Sequence, residues 1–204
     1  MFERSVFINC SFDDAYLPIL RPILFVVIRA DFTPRIASER LNAGENRLDK
    51  IIELIEASKF GIHDLSRMKA SKVGELFRLN MPLELGLDIG CRRFKGAHWQ
   101  EKQLLVLETE RYRYQAAISD LANVDIEAHS DDPPTGMTAV RNWLEIAGRV
   151  DVSGPSALWG EFTEFMGDNY DRLKARGHSD RDIERQPVAQ LMVAMRTWHV
   201  DNPA

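Results

Sequence analysis

Glu84 is a carboxylate at a position that could carry chemistry. The residues around it, 78–87, read RLNMPLELGL and predict the start of an otherwise apolar helix. Asn80 is a typical N-cap, and Pro82 is tolerated where backbone N–H groups have no helical partner. We therefore predict that Glu84 lies in the first helical turn, where the helix dipole stabilises the anion. Such an anion could be a nucleophile or stabilise a cation; the alternative is an acid that only complements the dipole.

Further polar residues follow the predicted strands, where a parallel α/β sheet forms its ligand crevice. Asp64 ends the third strand, and we predict it as a second catalytic carboxylate beside Glu84. His63, inside that strand, is interpreted as a packed histidine. The predicted substrate-binding residues share positions at strand ends or before the helix of Glu84: Asn9, Ser11, Phe12, Asp13, Asp14, Glu39, Ser66, Arg67, Arg78 and Asn80.

The loop from Ser66 to Asn80 is locally basic in an acidic chain. Its charged residues are Arg67, Lys69, Lys72 and Arg78 against Glu75. Such a loop is either solvated or, if it faces a pocket, suited to holding phosphate groups. The sequence contains neither GxGxxG nor GxxxxGK[ST], so neither a Rossmann dinucleotide fold nor a P-loop is supported.

A carboxylate, hydroxyls, an aromatic ring and a basic loop together fit the cleavage of an N-glycosidic bond. The transition state is oxocarbenium-like, so an anion beside the ribose stabilises it or attacks it. A planar leaving base could stack on Phe12 or Phe77. If the leaving group is a nicotinamide that already carries positive charge, no general acid is needed, and Glu84 alone could suffice.

Short strands alternate with helices along residues 5–147, which indicates an α/β fold. We expect a flavodoxin-like five-stranded parallel sheet in the order 2-1-3-4-5, with helices on both faces and a switch point between strands one and three. The predicted strands are 5–10, 33–38, 59–65, 104–108 and 124–129. The predicted helices are 16–30, 46–58, 82–94 and 135–147.

After Val150 the pattern changes to helices alone. An apolar stripe runs through Trp159, Phe162, Met166, Tyr170 and Leu173, and a last helix carries Leu191, Met192, Met195 and Trp198. Such a stripe marks a packed helix. We therefore predict an α/β domain over residues 1–150 and a C-terminal helical extension over 151–204. The extension is expected to pack on the domain or on a second subunit, giving a homo-oligomer.

The composition limits the class of protein and its partners. The chain has 204 residues and a net charge of −5, which argues against nucleic-acid and membrane-surface partners. Cys10 and Cys91 show no metal-binding or disulfide spacing, so no metal or disulfide framework is expected. The longest apolar run, 22–28, is too short to span a bilayer. We expect a soluble, cytoplasmic protein with no cofactor.

Residues 6–14, VFINCSFDD, resemble the opening strand and loop of Toll/interleukin receptor (TIR) domains, which typically read VFISYS-x-x-D. Glu84 lies where NAD-cleaving members carry their glutamate, early in the helix after the third strand. The resemblance covers roughly residues 4–147. The family's Trp-Cys pair before the glutamate is replaced by residues 80–82, Asn-Met-Pro. Residues 62–66, IHDLS, look closer to nucleoside deoxyribosyltransferases, a related flavodoxin-like group.

The resemblance implies an NAD-cleaving N-glycosidase, for which NAD is the substrate. In bacteria such TIR-like enzymes often serve as effectors of antiphage defence after an oligomerising signal. Two alternatives stay open. One is a nucleoside or nucleotide glycosyl transferase or hydrolase; the other is a non-catalytic TIR-like module that binds a nucleotide or a protein. Fold alone does not separate them.

Overall fold

The computed structural model describes residues 2–40, 42, 44–68, 79–121 and 125–203. Its centre is a five-stranded sheet in the order 2-1-3-4-5, and every strand pair is parallel. This confirms the predicted flavodoxin-like topology. The strands are β1 Ser5–Asn9, β2 Thr33–Arg35, β3 Phe60–Asp64, β4 Gln103–Glu108 and β5 Ile126–Ala128.

Helices cover both faces of the sheet. They are α1 Leu17–Arg29, α2 Arg47–Glu56, α3 Asn80–Phe94, α4 Pro133–Ala147, α5 Pro155–Ala175, α6 Asp180–Glu184 and α7 Val188–Asp201. Helices α1 and α4 pack together on one face, and α2 and α3 on the other. This arrangement confirms the predicted layers.

Strand β1 shows why the sequence forms a central strand. All five of its residues are buried. Val6 and Ile8 belong to the core cluster under α1, whereas Phe7 contacts the opposite cluster, which contains Ile51 of α2. A strand buried on both faces needs apolar residues at consecutive positions rather than at alternate ones.

Helix α1 is buried on two sides, which explains its nearly continuous apolar sequence. One side faces the sheet and the other faces the C-terminal helices α5 and α7. The ring of Phe25 lies 5.6 Å from Phe162, 5.7 Å from Phe165 and 5.7 Å from Trp198, between ring centroids. The C-terminal extension thus shares one core with the α/β layers of its own chain. Association of two copies through these helices stays a prediction.

Polar contacts reinforce this packing at the end of α1. The Arg29 guanidinium donates to Glu161 at 2.6 Å and to the carbonyl of Asn202 at 2.7 Å, and it contacts His199 Nδ1 at 2.8 Å. His199 Nε2 in turn lies 3.0 Å from the Asp31 carboxylate.

Within the described residues, no helix has the length and apolar character that a membrane span requires.

Candidate functional site

A cleft of about 480 Å³ opens at the carboxyl end of β1, between the loop that follows it and the start of α3. This is the switch point between β1 and β3, where open α/β sheets bind ligands. Five of its lining residues were predicted from the sequence: Asn9, Ser11, Phe12, Asn80 and Glu84. The other lining residues were not predicted: Ile8, Cys10, Ala37, Arg47, Leu79 and Met81.

Glu84 lies on the wall of this cleft but not in the first helical turn, so that prediction is wrong. Helix α3 begins at Asn80, and its N-cap is Leu79, which makes no side-chain capping bond. The predicted capping role of Asn80 is therefore also wrong. Because Pro82 fits any first-turn position, the sequence also allowed a helix that includes Asn80 as its first residue, as the structure has it. That start places Glu84 in the second turn.

Burial controls the charge of Glu84. Only 8 % of the surface of Glu84 is exposed to solvent. Burial raises the pKa of Glu84 from 4.5 to about 7, and the positive charge of Arg47 opposes this shift only in part. The prediction that the helix dipole stabilises the Glu84 anion is wrong: the dipole acts mainly within the first turn, whereas desolvation acts wherever the carboxyl is buried and here raises the pKa. At neutral pH this group can both donate and accept a proton.

Arg47 brings a cation to the cleft from an unexpected element. It is the first residue of α2, whose N-terminus is capped by Asn46 accepting from the Leu48 N–H at 2.8 Å. Arg47 as a whole is exposed to solvent. Arg47 was not predicted as a site residue, because it lies neither at a strand end nor on the helix of Glu84.

Asn9 ties β1 to the start of α3. Its side-chain Nδ2 donates to the Met81 carbonyl at 2.8 Å and lies 3.0 Å from His63 Nδ1. Met81 and Glu84 are three residues apart and lie on the same side of α3. The contact from Asn9 thus fixes the helix face that carries Glu84.

The loop after β1 contributes a hydrogen-bonded turn and an exposed aromatic ring. The Ser11 hydroxyl donates to Asp13 at 2.6 Å, and Asp13 also accepts the Tyr16 N–H at 3.0 Å. Asp13 therefore stabilises the turn that leads into α1 rather than lining the cleft. Asp14 is exposed. Phe12 lines the cleft with 36 % of its surface exposed.

Asp64 does not line the cleft; it belongs to a separate buried network. Its carboxylate accepts the Tyr16 hydroxyl at 2.5 Å and the Ser66 N–H at 2.8 Å, and His129 Nε2 lies 3.1 Å away. Burial acts to raise the pKa of Asp64, but the hydrogen bonds and the interaction with His129 outweigh it and hold the pKa below its usual value. Asp64 is thus a fully partnered anion within the core.

The remaining predicted residues also lie away from the cleft. Glu39 pairs with Arg35 at 2.7 Å. Arg67 lies 3.5 Å from Asp131 and donates to a backbone carbonyl. Ser66 is buried beside Asp64. Arg78, with most of the predicted basic loop, falls outside the described residues.

In the described ranges, no group of three His, Cys, Asp or Glu side chains is arranged to hold a metal ion. Comparison with family models, with curated protein sequences and with solved structures found no match to this chain.

Proposed function

We propose that the chain is an N-glycosidase that cleaves the nicotinamide–ribose bond of NAD, with Glu84 facing the sugar. The observation that supports this most is the buried Glu84 carboxyl on the wall of a cleft at the β1–β3 switch point. An oxocarbenium-like transition state needs such a carboxyl group at close range. The resemblance of residues 6–14 and Glu84 to TIR domains points to the same reaction.

Other cleft residues suit the remaining parts of NAD. The exposed ring of Phe12 offers a face on which a planar base can stack. Arg47, an exposed residue on the cleft, suits the pyrophosphate, because arginine pairs with two phosphate oxygens at once. One cleft therefore presents an acid, an aromatic ring and a cation to a dinucleotide.

The charge on NAD would bring Glu84 into its reactive form. The nicotinamide ring of NAD is positively charged, and a nearby cation favours the ionised form of a carboxyl group. Glu84 would then stabilise or attack the ribosyl cation as an anion. Nicotinamide leaves as a neutral molecule without a general acid, and water then adds to the ribosyl carbon and releases one proton to complete the hydrolysis. One carboxylate is therefore sufficient, and Asp64 has no part in the chemical step.

The pKa of Glu84 also supports a second candidate, a nucleoside or nucleotide N-glycosidase. A neutral purine or pyrimidine leaves more easily when it is protonated, and a carboxyl group with a pKa near 7 is suited to give that proton at neutral pH. In this reaction Glu84 would be the general acid, and the active form would be the protonated one.

The test is to incubate the purified protein with NAD and to measure released nicotinamide by chromatography, for the wild type and for Glu84→Gln. The variant removes the charge but keeps the size of the side chain. We expect a loss of at least about a hundredfold, typical for removal of one preorganised electrostatic contact. Nucleosides and nucleotides are assayed in parallel for the second candidate.

A matched control is Glu164→Gln, which makes the same chemical change on the exposed face of α5. It should keep wild-type activity. Cleavage that persists undiminished in Glu84→Gln would remove Glu84 from the mechanism. A wild type that binds NAD but cleaves none of these substrates would favour a non-catalytic binding module. A role as a defence effector rests on the TIR resemblance alone.

A further inference from the structure

A series of buried polar side chains extends from His63 of β3 into the protein, away from the cleft. His63, Asp88 and Lys102 are each 0 % exposed. His63 Nε2 lies 3.2 Å from Asp88 Oδ2, and Lys102 Nζ lies 3.1 Å from Asp88 Oδ1. Lys102 also donates to the backbone carbonyls of Ile55 and Ser58. Burial of such groups is costly unless each one is paired, and here they form a continuous series.

The backbone of β3 makes room for this series. A Cβ atom on Gly61 would lie 2.7 Å from Asp88 Oδ2 and 3.0 Å from His63 Nε2. Glycine in a strand interior weakens the strand, and it often marks a close approach by another group. At this position the close approach is that of the Asp88 carboxylate.

The neighbours of Asn9 fix the orientation of its amide and the tautomer of His63. The Met81 carbonyl can only accept, so the amide atom 2.8 Å from it must be the NH₂ nitrogen. The same nitrogen faces His63 Nδ1 at 3.0 Å, so Nδ1 must accept. The ring hydrogen of neutral His63 is then on Nε2, where it is donated to Asp88.

The amide oxygen of Asn9 is the only polar atom of this side chain that these contacts do not use. Asn9 is 2 % exposed and lines the cleft. Among the residues that the structure describes, no donor contacts Asn9 Oδ1. A carboxamide oxygen accepts hydrogen bonds, so it suits a hydroxyl and disfavours a phosphate oxygen at the same point.

We propose that Asn9 Oδ1 accepts a hydrogen bond from a ribose hydroxyl of the substrate, and that His63 is a positioning residue that holds the amide in this orientation. The identity of the ligand as a ribosyl compound rests on the proposed function. Asp88 and Lys102 act one step further back, because they keep the hydrogen of His63 on Nε2 and its Nδ1 free to accept.

Two substitutions of His63 separate its two contacts. His63→Asn places an acceptor oxygen near the position of Nδ1 and gives up the contact with Asp88. His63→Gln places a donor near the position of Nε2 and leaves nothing to accept from Asn9. Each protein is titrated with NAD and with analogues that lack the 2′ or the 3′ hydroxyl on the nicotinamide ribose.

We expect the wild type to bind NAD about tenfold more tightly than one of the two analogues, a factor typical of one lost hydrogen bond. This ratio should persist in His63→Asn and fall to about one in His63→Gln. A general folding defect would weaken NAD and analogue alike and leave the ratio unchanged. A wild-type ratio in His63→Gln, or a ratio near one for both analogues in the wild type, would overturn the proposal.

A measurement on the unliganded protein keeps this test independent of activity. In ¹⁵N NMR spectra of histidine-labelled protein, His63 should show an unprotonated Nδ1 and a protonated Nε2. A hydrogen on Nδ1 would overturn the proposal even if NAD is cleaved. Binding ratios as expected, without any release of nicotinamide, would contradict the proposed NAD hydrolysis and support the hydroxyl contact.

Discussion

Glu84 and Asp64 are two buried carboxyl groups whose surroundings shift their pKa values in opposite directions. Asp64 is the more buried of the two, yet its pKa is lowered, because Tyr16, Ser66 and His129 all interact with the anion. The pKa of Glu84 is raised to about 7 by burial, and in the described part of the chain no group donates a hydrogen bond to its carboxyl. Burial alone therefore does not decide the charge of a carboxyl; the donors around it do.

This contrast assigns a role to each group. A carboxylate with satisfied partners holds the structure together, whereas one that lacks donors and faces a cleft can change its protonation state during a reaction. Substitutions of Asp64 and Glu84 should therefore have opposite effects on stability.

Asp64→Asn should lower the free energy of unfolding by about 3 kcal/mol at pH 7, because it removes the charge from a buried network and leaves donors facing an NH₂ group. Denaturant unfolding measures this. The lowered pKa of Asp64 means that its stabilisation is present above the unfolded-state pKa and is lost as the pH falls through the folded-state pKa. The difference between variant and wild type should therefore shrink in acid. An unchanged stability at pH 7 would contradict the structural role.

Glu84→Gln should act in the opposite direction and stabilise the protein at high pH. The raised pKa of Glu84 favours folding below pH 4.5, and this contribution is lost as the pH rises from 4.5 through about 7. Relative to the wild type, the variant should gain about 2 kcal/mol of unfolding free energy between pH 4.5 and pH 8, since one pKa unit corresponds to about 1.4 kcal/mol and partial solvation reduces the full value. Glu164→Gln serves as the control. A difference that does not vary with pH would show that Glu84 titrates normally.

The pH dependence of kcat/KM separates the two enzymatic candidates. For NAD the anion of Glu84 is the active form, so kcat/KM should rise about tenfold between pH 6 and pH 8 and level off above. For a neutral nucleobase as leaving group the protonated form is active, and kcat/KM should fall over the same interval. If kcat/KM does not change between pH 6 and pH 8 with either substrate, the protonation state of Glu84 does not control the reaction.

The sequence predicted where the central strands lie because each buried strand leaves its own local apolar pattern, as in residues 5–9 and 103–108. The order of the strands was expected from the alternation of strands with helices, which is typical of flavodoxin-like sheets. The sequence also predicted three cleft residues at the end of β1 and in the loop after it, Asn9, Ser11 and Phe12, since strand ends in this fold point to one crevice. The buried environment of Asp64 could not be predicted from local sequence patterns. Its partners Tyr16 and His129 are 48 and 65 residues away in the chain, and only the folded sheet brings them together.

Two properties of the cleft depended in the same way on tertiary structure. The pKa of Glu84 follows from the burial of its side chain, which a helix-start pattern does not reveal. Arg47 reaches the cleft because the fold brings the start of α2 to the cleft at the carboxyl end of β1, although these segments are separated in sequence. Local patterns thus predict which elements form, whereas the environment of a side chain depends on elements from distant parts of the chain.

The aromatic contacts around Phe25 determine how the protein unfolds. Because α1 lies between the sheet and the helices α5 and α7, a cut after residue 150 would pass through a shared core instead of a linker between independent units. The two parts should therefore melt in one cooperative transition.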